Sequence, residues 1–185
     1  PLSPYALSKL ACERYALLFS SLWGTSITCL RYFNVYGPRQ DPASQYAAAI
    51  PRFIANLRAG TPPPVYGDGE QTRDFTFVTD VVEANLLAAR SDLPFGIYNI
   101  SGGERISIND LVRTLSRYAG VDFAPRYVPR RTGDVLHSLA SLEAAGRDLG
   151  YRPRVLLEEG LRRTWDGFAS AAPMAPPMAP PRESR

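Results

Sequence analysis

Tyr5 and Lys9 stand four residues apart in Pro4-Tyr5-Ala6-Leu7-Ser8-Lys9. On a helix, residues at that spacing share a face. A free phenol is a poor base at neutral pH, but a neighbouring ammonium favours the phenolate. Lysine suits that task because it is a compact charge with three donors, able to reach a phenol and a second hydroxyl together. Of the 21 Lys and Arg residues in the chain, every one but Lys9 is arginine. The plainer reading of the same spacing is a surface Tyr–Lys pair on an amphipathic helix.

The elements that must position this pair follow from pattern. Residues 4–22 read as a helix, with Leu7, Leu10, Ala11, Tyr15 and Leu18 at three- and four-residue spacing. Ser3 is the candidate cap, Pro4 takes the first helical position and Gly24 follows the last turn. A buried strand is expected over 26–33, then a loop from Asn34 to Gln45 marked by Gly37-Pro38 and Asp41-Pro42. Helical spacing returns over 47–58 and stops at Gly60. Short strands are expected at Val65-Tyr66, 72–77 and 97–100, and a helix from Val81 to Arg90 capped by Thr79 or Asp80. Ser107 and Asp110 resemble a capping box for a helix over 108–118. A strand near 125–129, a loop at 131–138 and helices near 141–148 and 156–168 follow. From Ala171 the chain is Pro/Ala-rich and is expected to be disordered through 171–185. Strands alternating with helices place the chain in the α/β class.

Composition narrows the function. A chain of 185 residues holds one domain or parts of two. Its 45% hydrophobic and 21% charged residues are those of a globular protein. The net charge of +3 is weak and the arginines are scattered, which argues against a nucleic-acid partner. No apolar stretch approaches a membrane span, and no charged-then-apolar leader opens the sequence. Cys12 and Cys29 have no metal spacing and read as reduced thiols, so a cytoplasmic protein is expected. His137, the only histidine, has no cluster of ligands around it and reads as structural.

Two segments are more specific than the Tyr–Lys pair. One is Leu30-Arg31-Tyr32-Phe33-Asn34-Val35-Tyr36-Gly37-Pro38-Arg39-Gln40-Asp41-Pro42. The other runs from Tyr66-Gly67-Asp68-Gly69-Glu70-Gln71-Thr72-Arg73-Asp74-Phe75 through Thr76-Phe77-Val78-Thr79-Asp80-Val81-Val82. In this order, after Pro4-Tyr5-x-x-Ser8-Lys9, they resemble the extended short-chain dehydrogenase/reductase family and, within it, the NAD-dependent nucleotide-sugar epimerases. Gln45-Tyr46-Ala47-Ala48-Ala49-Ile50-Pro51-Arg52-Phe53 resembles the UDP-glucose/UDP-N-acetylglucosamine 4-epimerase branch. The resemblance covers residues 1 to about 168. It implies the C-terminal part of a Rossmann-type NAD(P)-binding domain plus a small mixed α/β substrate-binding domain. Residues 1–46 would belong to the former, with segments near 72–100 returning to it, and 47–168 mainly to the latter.

The resemblance also implies roles. Tyr5 would remove the proton from the sugar 4-hydroxyl while hydride passes to NAD. The resulting 4-keto sugar turns over and takes hydride back on the other face. Lys9 would hold the nicotinamide ribose and depress the Tyr5 pKa. Phe33 would pack near the nicotinamide, or is simply a buried strand end. Asn34 would meet the substrate diphosphate, or forms a strand-ending Asx turn. The backbone of Ala48, Ala49 and Ile50 would meet the nucleotide sugar. Val65 and Tyr66 would lie against the uracil, or form an ordinary core strand. Arg73 would bind diphosphate through its rigid fork. In Arg131-Thr132-Gly133-Asp134, Arg131 would meet diphosphate and Asp134 the ribose hydroxyls. Four residues after that aspartate, a tyrosine in some family members excludes 2-acetamido sugars by bulk. Ser138 here leaves room for both plain and N-acetyl substrates.

The Gly-rich turn that binds the NAD pyrophosphate is not in this sequence: neither Gly67-x-Gly69 nor Gly102-Gly103 has its pattern. The expectation is therefore the C-terminal half of a larger enzyme, inactive by itself and a homodimer when complete. The other chemistries of the family, dehydration and decarboxylation, stay open. So do a UDP-sugar-binding module without catalysis and an orphan fragment with unpaired sheet edges.

Overall fold

The computed structural model describes residues 1, 3–43, 48–130 and 134–170, the last two by backbone only. Helix α1 (Pro4–Trp23) starts where Ser3 Oγ accepts the Ala6 N–H at 3.1 Å. It ends where left-handed Gly24 (φ 65) donates its N–H to Ser20. That sharp stop turns β1 (Ile27–Tyr32) back along α1. The chain then runs through β2 (Val35–Tyr36), α2 (Ala49–Arg58), β3 (Pro64–Tyr66), β4 (Thr72–Asp74), β5 (Thr76–Phe77), α3 (Val78–Ala89) and β6 (Phe95–Ile100). It finishes with β7 (Arg105–Ser107), α4 (Ile108–Ala119), β8 (Arg126–Val128), α5 (Glu143–Leu149) and α6 (Leu157–Ser170).

β1 and β6 pair in parallel from Ile27↔Phe95 to Tyr32↔Ile100. Helices cover both faces of this pair, as a parallel sheet requires. Arg31 reaches Glu13 of α1, whereas the next residue, Tyr32, donates to Asn85 of α3 at 3.0 Å. Successive strand residues point to opposite faces, so the two contacts mark the two sides. The shorter pairings are β2 with β5 and β3 with β8, both parallel, and β4 with β7, antiparallel.

Two cores result. One gathers Ala84 of α3, Tyr98 and Ile100 of β6, and Ala145, Leu149 and Tyr151 around α5. The other packs Ile50 and Ile54 of α2 and Leu111 and Leu115 of α4 against Val65 and Leu161. Burial raises the pKa of the Tyr151 hydroxyl well above its ordinary value, and that hydroxyl donates to the Ser101 carbonyl at 2.9 Å.

Three expectations need correction. The stretch after Asn34 is not all loop, since Val35–Tyr36 pairs with β5. Helix α3 begins at Val78 with Phe77 as its cap residue, and no side chain caps it. Asp80 lies inside the first turn, buried, where its two oxygens accept the Arg154 and Val155 N–H groups, each at 3.2 Å. That tertiary use overrides a local cap. Strand β7, unforeseen, exists because β4 supplies its partner from thirty residues away. The Pro/Ala-rich segment 171–185, together with Gln45, Tyr46 and Ala47, lies outside the described residues.

Candidate substrate cleft and Tyr–Lys groove

The N-terminus of α2 opens onto a cleft of about 250 Å³. Its cap residue is Ala48, which offers no side-chain acceptor, and no acid sits in the first turn. The first N–H groups of a helix have no intrahelical partner and carry the positive end of its dipole. Ala48 and Ala49 line the cleft, so those groups face it without bulk in the way. Arg52, one turn into α2, also lines the cleft and has no carboxylate partner among the described residues. A helix start with no side-chain cap, beside a guanidinium that meets no carboxylate among the described residues, favours an anion.

Arg73 of β4 lines the same cleft. One of its terminal nitrogens donates to the carbonyls of Thr72 (2.9 Å) and Leu136 (3.3 Å). The other donates to the Asp134 carboxylate at 2.6 Å. Asp134 stands at the cleft because the segment behind it is laced to β4. Thr72 donates to Leu136 at 2.9 Å, Ser138 donates to Thr72 at 3.2 Å, and Ala140 donates to the Asp74 carboxylate at 3.0 Å. His137 Nδ1 lies 3.0 Å from Thr72 Oγ1 in the same lacing.

Asn34 also lines the cleft. Its backbone is left-handed (φ 33), a conformation asparagine tolerates. Its amide donates to the Asp74 carbonyl at 2.8 Å. Tyr66 lines the wall, and Gln71 beside it donates to the Tyr66 carbonyl at 2.7 Å. The side chains of Ile50 and Val65 point into the core and not into the cleft, which leaves only their backbone for a ligand. Ser138 sits beside Asp74, with Oγ 3.5 Å from the Asp74 N–H, and is not part of the cleft wall. Arg131 lies outside the described residues. Arg52 and Gln71 are cleft residues that sequence reasoning missed, although Arg52 lay within a segment that carried the resemblance.

Tyr5 and Lys9 occupy a second, more open hollow of about 700 Å³ between α1 and β1. Lys9 Nζ lies 5.6 Å from the Tyr5 ring centroid, and Tyr5 is 71% exposed. Arg31 and Glu13 line the same hollow and meet through two bonds of 2.5 and 2.6 Å. The Arg31 hydrogen bond holds the Glu13 carboxyl below its ordinary value, and burial pushes the Cys29 thiol up. Phe33 is half-buried at the end of β1 and is not part of this wall; its N–H pairs with Ile100 at 3.0 Å. β1 joins the two hollows. Arg31 and Tyr32 line the groove, and two residues later Asn34 lines the cleft. Ligands of open α/β sheets bind at such carboxyl ends of parallel strands.

Residues 1–101 match the model of the NAD dependent epimerase/dehydratase family. The chain belongs to that family. It is 39% identical over 163 residues to a putative UDP-glucose 4-epimerase of Methanocaldococcus jannaschii, covering 88% of this chain and 52% of the relative. Among solved structures it is similar to the UDP-N-acetylglucosamine 4-epimerase of Methanobrevibacter ruminantium M1 in complex with UDP-N-acetylmuramic acid. The identity is 42% and the TM-score 0.87, over 92% of this chain and 55% of that one. It is also similar to the UDP-glucose 4-epimerase of Thermotoga maritima with UDP-glucose, at 40% identity and TM-score 0.86, over 91% of this chain and 54% of that one. The fold is Rossmann-like α/β. The chain spans about half the length of the relatives it matches.

Proposed function

We propose that this chain carries the substrate cleft and the Tyr–Lys pair of an NAD-dependent nucleotide-sugar 4-epimerase. Its substrates would be UDP-glucose and UDP-galactose, together with their N-acetyl forms. The observation that carries this reading is convergence: an uncapped helix start, Arg52 and Arg73 face one cleft, with Asp134 beside them. Two guanidinium groups and free N–H groups suit the oxygens of a diphosphate. A carboxylate beside them suits the hydroxyls of the attached ribose. The relatives named for UDP-sugars support the same ligand class.

The Tyr5–Lys9 hollow fits the nicotinamide ribose end of NAD. A phenol and an ammonium share one helix face, and their wall lies at the carboxyl end of a parallel strand. Tyr5 and Lys9 would hold that end; when bound, NAD accepts and returns the hydride. Tyr5 Oη takes the proton from the sugar 4-hydroxyl and later gives it back. Lys9 stabilises the phenolate and reaches the ribose hydroxyls. Arg52, Arg73 and Asp134 keep the nucleotide fixed while the sugar turns. Residues 1–46, with segments near 72–100, would form the cofactor part, and 47–168 mainly the substrate part. The presence of two separate cores supports a division, although the β6 core also takes in Ala145, Leu149 and Tyr151. The apolar face of α1, where Tyr15 and Leu18 are exposed, suits a homodimer. No described helix is long and apolar enough to cross a membrane, and a cytoplasmic location is part of this reading.

The test is calorimetric titration of the 185-residue chain with UDP-glucose and UDP-N-acetylglucosamine, alongside Arg73→Ala. Binding of both ligands that Arg73→Ala weakens at least tenfold is expected, without turnover by this chain alone. No binding by the parent chain would overturn the reading, and NAD-dependent interconversion by these residues would overturn the expected inactivity.

A further inference from the structure

Tyr5, Lys9 and Glu13 follow one another at four-residue intervals along α1, and all three line the hollow against β1. A lysine with a glutamate four residues later stands at ion-pair spacing on a helix. Glu13 is also the only carboxylate among the described residues that line this hollow. Helix geometry therefore offers Lys9 a partner other than Tyr5. The structure does not take it. Lys9 makes no ion pair among the described residues, and its Nζ stays 5.6 Å from the Tyr5 ring centroid. Glu13 instead accepts from Arg31 on both carboxylate oxygens, from Nε at 2.5 Å and from Nη2 at 2.6 Å.

We propose that Arg31 is a positioning residue that occupies Glu13 and so reserves the Lys9 ammonium for Tyr5 and for the ribose of the cofactor. The proposal rests on the reading of the hollow given above. Glu13 left without Arg31 would act on the Tyr–Lys pair twice. Its charge would draw the ammonium along the helix, one turn away from the phenol. It would also oppose a phenolate on the same helix face, since a like charge disfavours the charged form. A guanidinium across both oxygens offsets that charge and leaves Lys9 with the phenol as its neighbour.

Two features suit Arg31 to this. It stands on β1 in a fixed register, opposite Asn99 of β6, so the sheet and not a loop presents its guanidinium. Its planar fork meets two oxygens together, which a lysine ammonium in its place does not do. The Glu13 side chain is only 13% exposed, whereas that of Arg31 is 50% exposed. A carboxylate so far out of water, once stripped of its cation, needs another. Lys9 is the only other cation among the described residues lining this hollow, because Arg14 lines a different one with Leu7 and Tyr15.

Lys9 is the only lysine in the chain, so its chemistry can be followed without interference from another. Its acetylation by an N-hydroxysuccinimide ester is timed by peptide mass spectrometry at one pH and ionic strength. The parent chain is compared with Arg31→Gln and with the double variant Arg31→Gln/Glu13→Gln, which keeps the parent's net charge. An ammonium held by a carboxylate acylates more slowly. Arg31→Gln is expected to slow Lys9 about twofold, the worth of an ion pair at this helical spacing. The double variant is expected to restore the parental rate. Circular dichroism verifies the helix in each protein. Equal rates in the parent and Arg31→Gln overturn the proposal. A double variant as slow as Arg31→Gln overturns it too, because lost packing and not Glu13 then acts on Lys9. The reading of the hollow has its own arm: nitration of Tyr5 by tetranitromethane, which attacks the phenolate, should slow in Lys9→Met. Unchanged nitration there means that Lys9 does not serve Tyr5 and overturns that reading, while the acetylation rates still decide whether Arg31 keeps Glu13 from Lys9.

Discussion

The Asp74 carboxylate accepts the backbone N–H of Ala140 at 3.0 Å, across 66 positions of sequence. Asp74 is completely buried, and its own carbonyl holds the Asn34 amide. One residue thus ties the edge that presents Asp134 to the strand that presents Arg73. Asp74→Ala is expected to cost about 1–3 kcal/mol, since it orphans the Ala140 donor and empties the site. Asp74→Asn, which keeps an acceptor, loses less. Urea unfolding measures the cost, and UDP titration should show weaker binding in the same order. An Asp74→Ala protein with parental stability would show that the tie holds nothing.

That tie also marks the limit of sequence reading. Helix α1 was legible at both ends, because Ser3 and Gly24 act locally and do in the structure what their types allow. Ser107 capping Asp110 at 3.0 Å was legible for the same reason. Asp80 was not. Its type and place read as a cap for α3, but its oxygens serve the chain at Arg154 and Val155, which no local pattern reveals. Strands β2 and β7 are two and three residues long and owe their existence to distant partners. In the cleft, Asn34, Arg73 and Asp134 came from the resemblance. Arg52 did not, because an arginine inside a helical repeat reads as a solvated charge until the helix start is seen facing a cleft.

The Glu13–Arg31 pair gives the Tyr–Lys groove a pH-dependent wall. The Arg31 hydrogen bond lowers the Glu13 pKa from its ordinary 4.5. A folded-state pKa below the unfolded one contributes stability above the unfolded value and loses it as pH falls through the folded value. The parent chain should therefore exceed Glu13→Gln in stability at neutral pH by about 0.5–1 kcal/mol, since Arg31 is half exposed. The gap should close in acid, below pH 4.5. Parallel thermal melts from pH 7 to pH 3 check this. A gap of constant size across that range would mean Glu13 acts by packing and not by charge.

Ser138 lies beside Asp74, one step behind the cleft wall. A tyrosine there would add a ring between the β4 edge and the cleft. Ser138→Tyr is expected to weaken UDP-N-acetylglucosamine at least tenfold while leaving UDP-glucose within about threefold, since bulk acts on the larger sugar first. Competitive titration of the two sugars reads the ratio. Equal losses for both would mean that the tyrosine disturbs the β4 edge and does not measure the 2-substituent.

Arg52 is the cleft residue with the clearest separable role. It stands in the first turn of α2, lines the cleft and meets no described carboxylate. A charge-assisted bond to phosphate is worth about 1.5–3 kcal/mol, so Arg52→Ala should weaken UDP roughly tenfold or more. Alanine is a better helix former than arginine, so α2 should keep its helix. The loss should fall on ligands that carry phosphate: UDP and pyrophosphate weaken, whereas uridine does not. The salt dependence of UDP binding should also become shallower, because one fewer cation meets the anion. If uridine weakens as much as UDP, Arg52 shapes the wall of the cleft, and the anion site consists of Arg73 and the helix start alone.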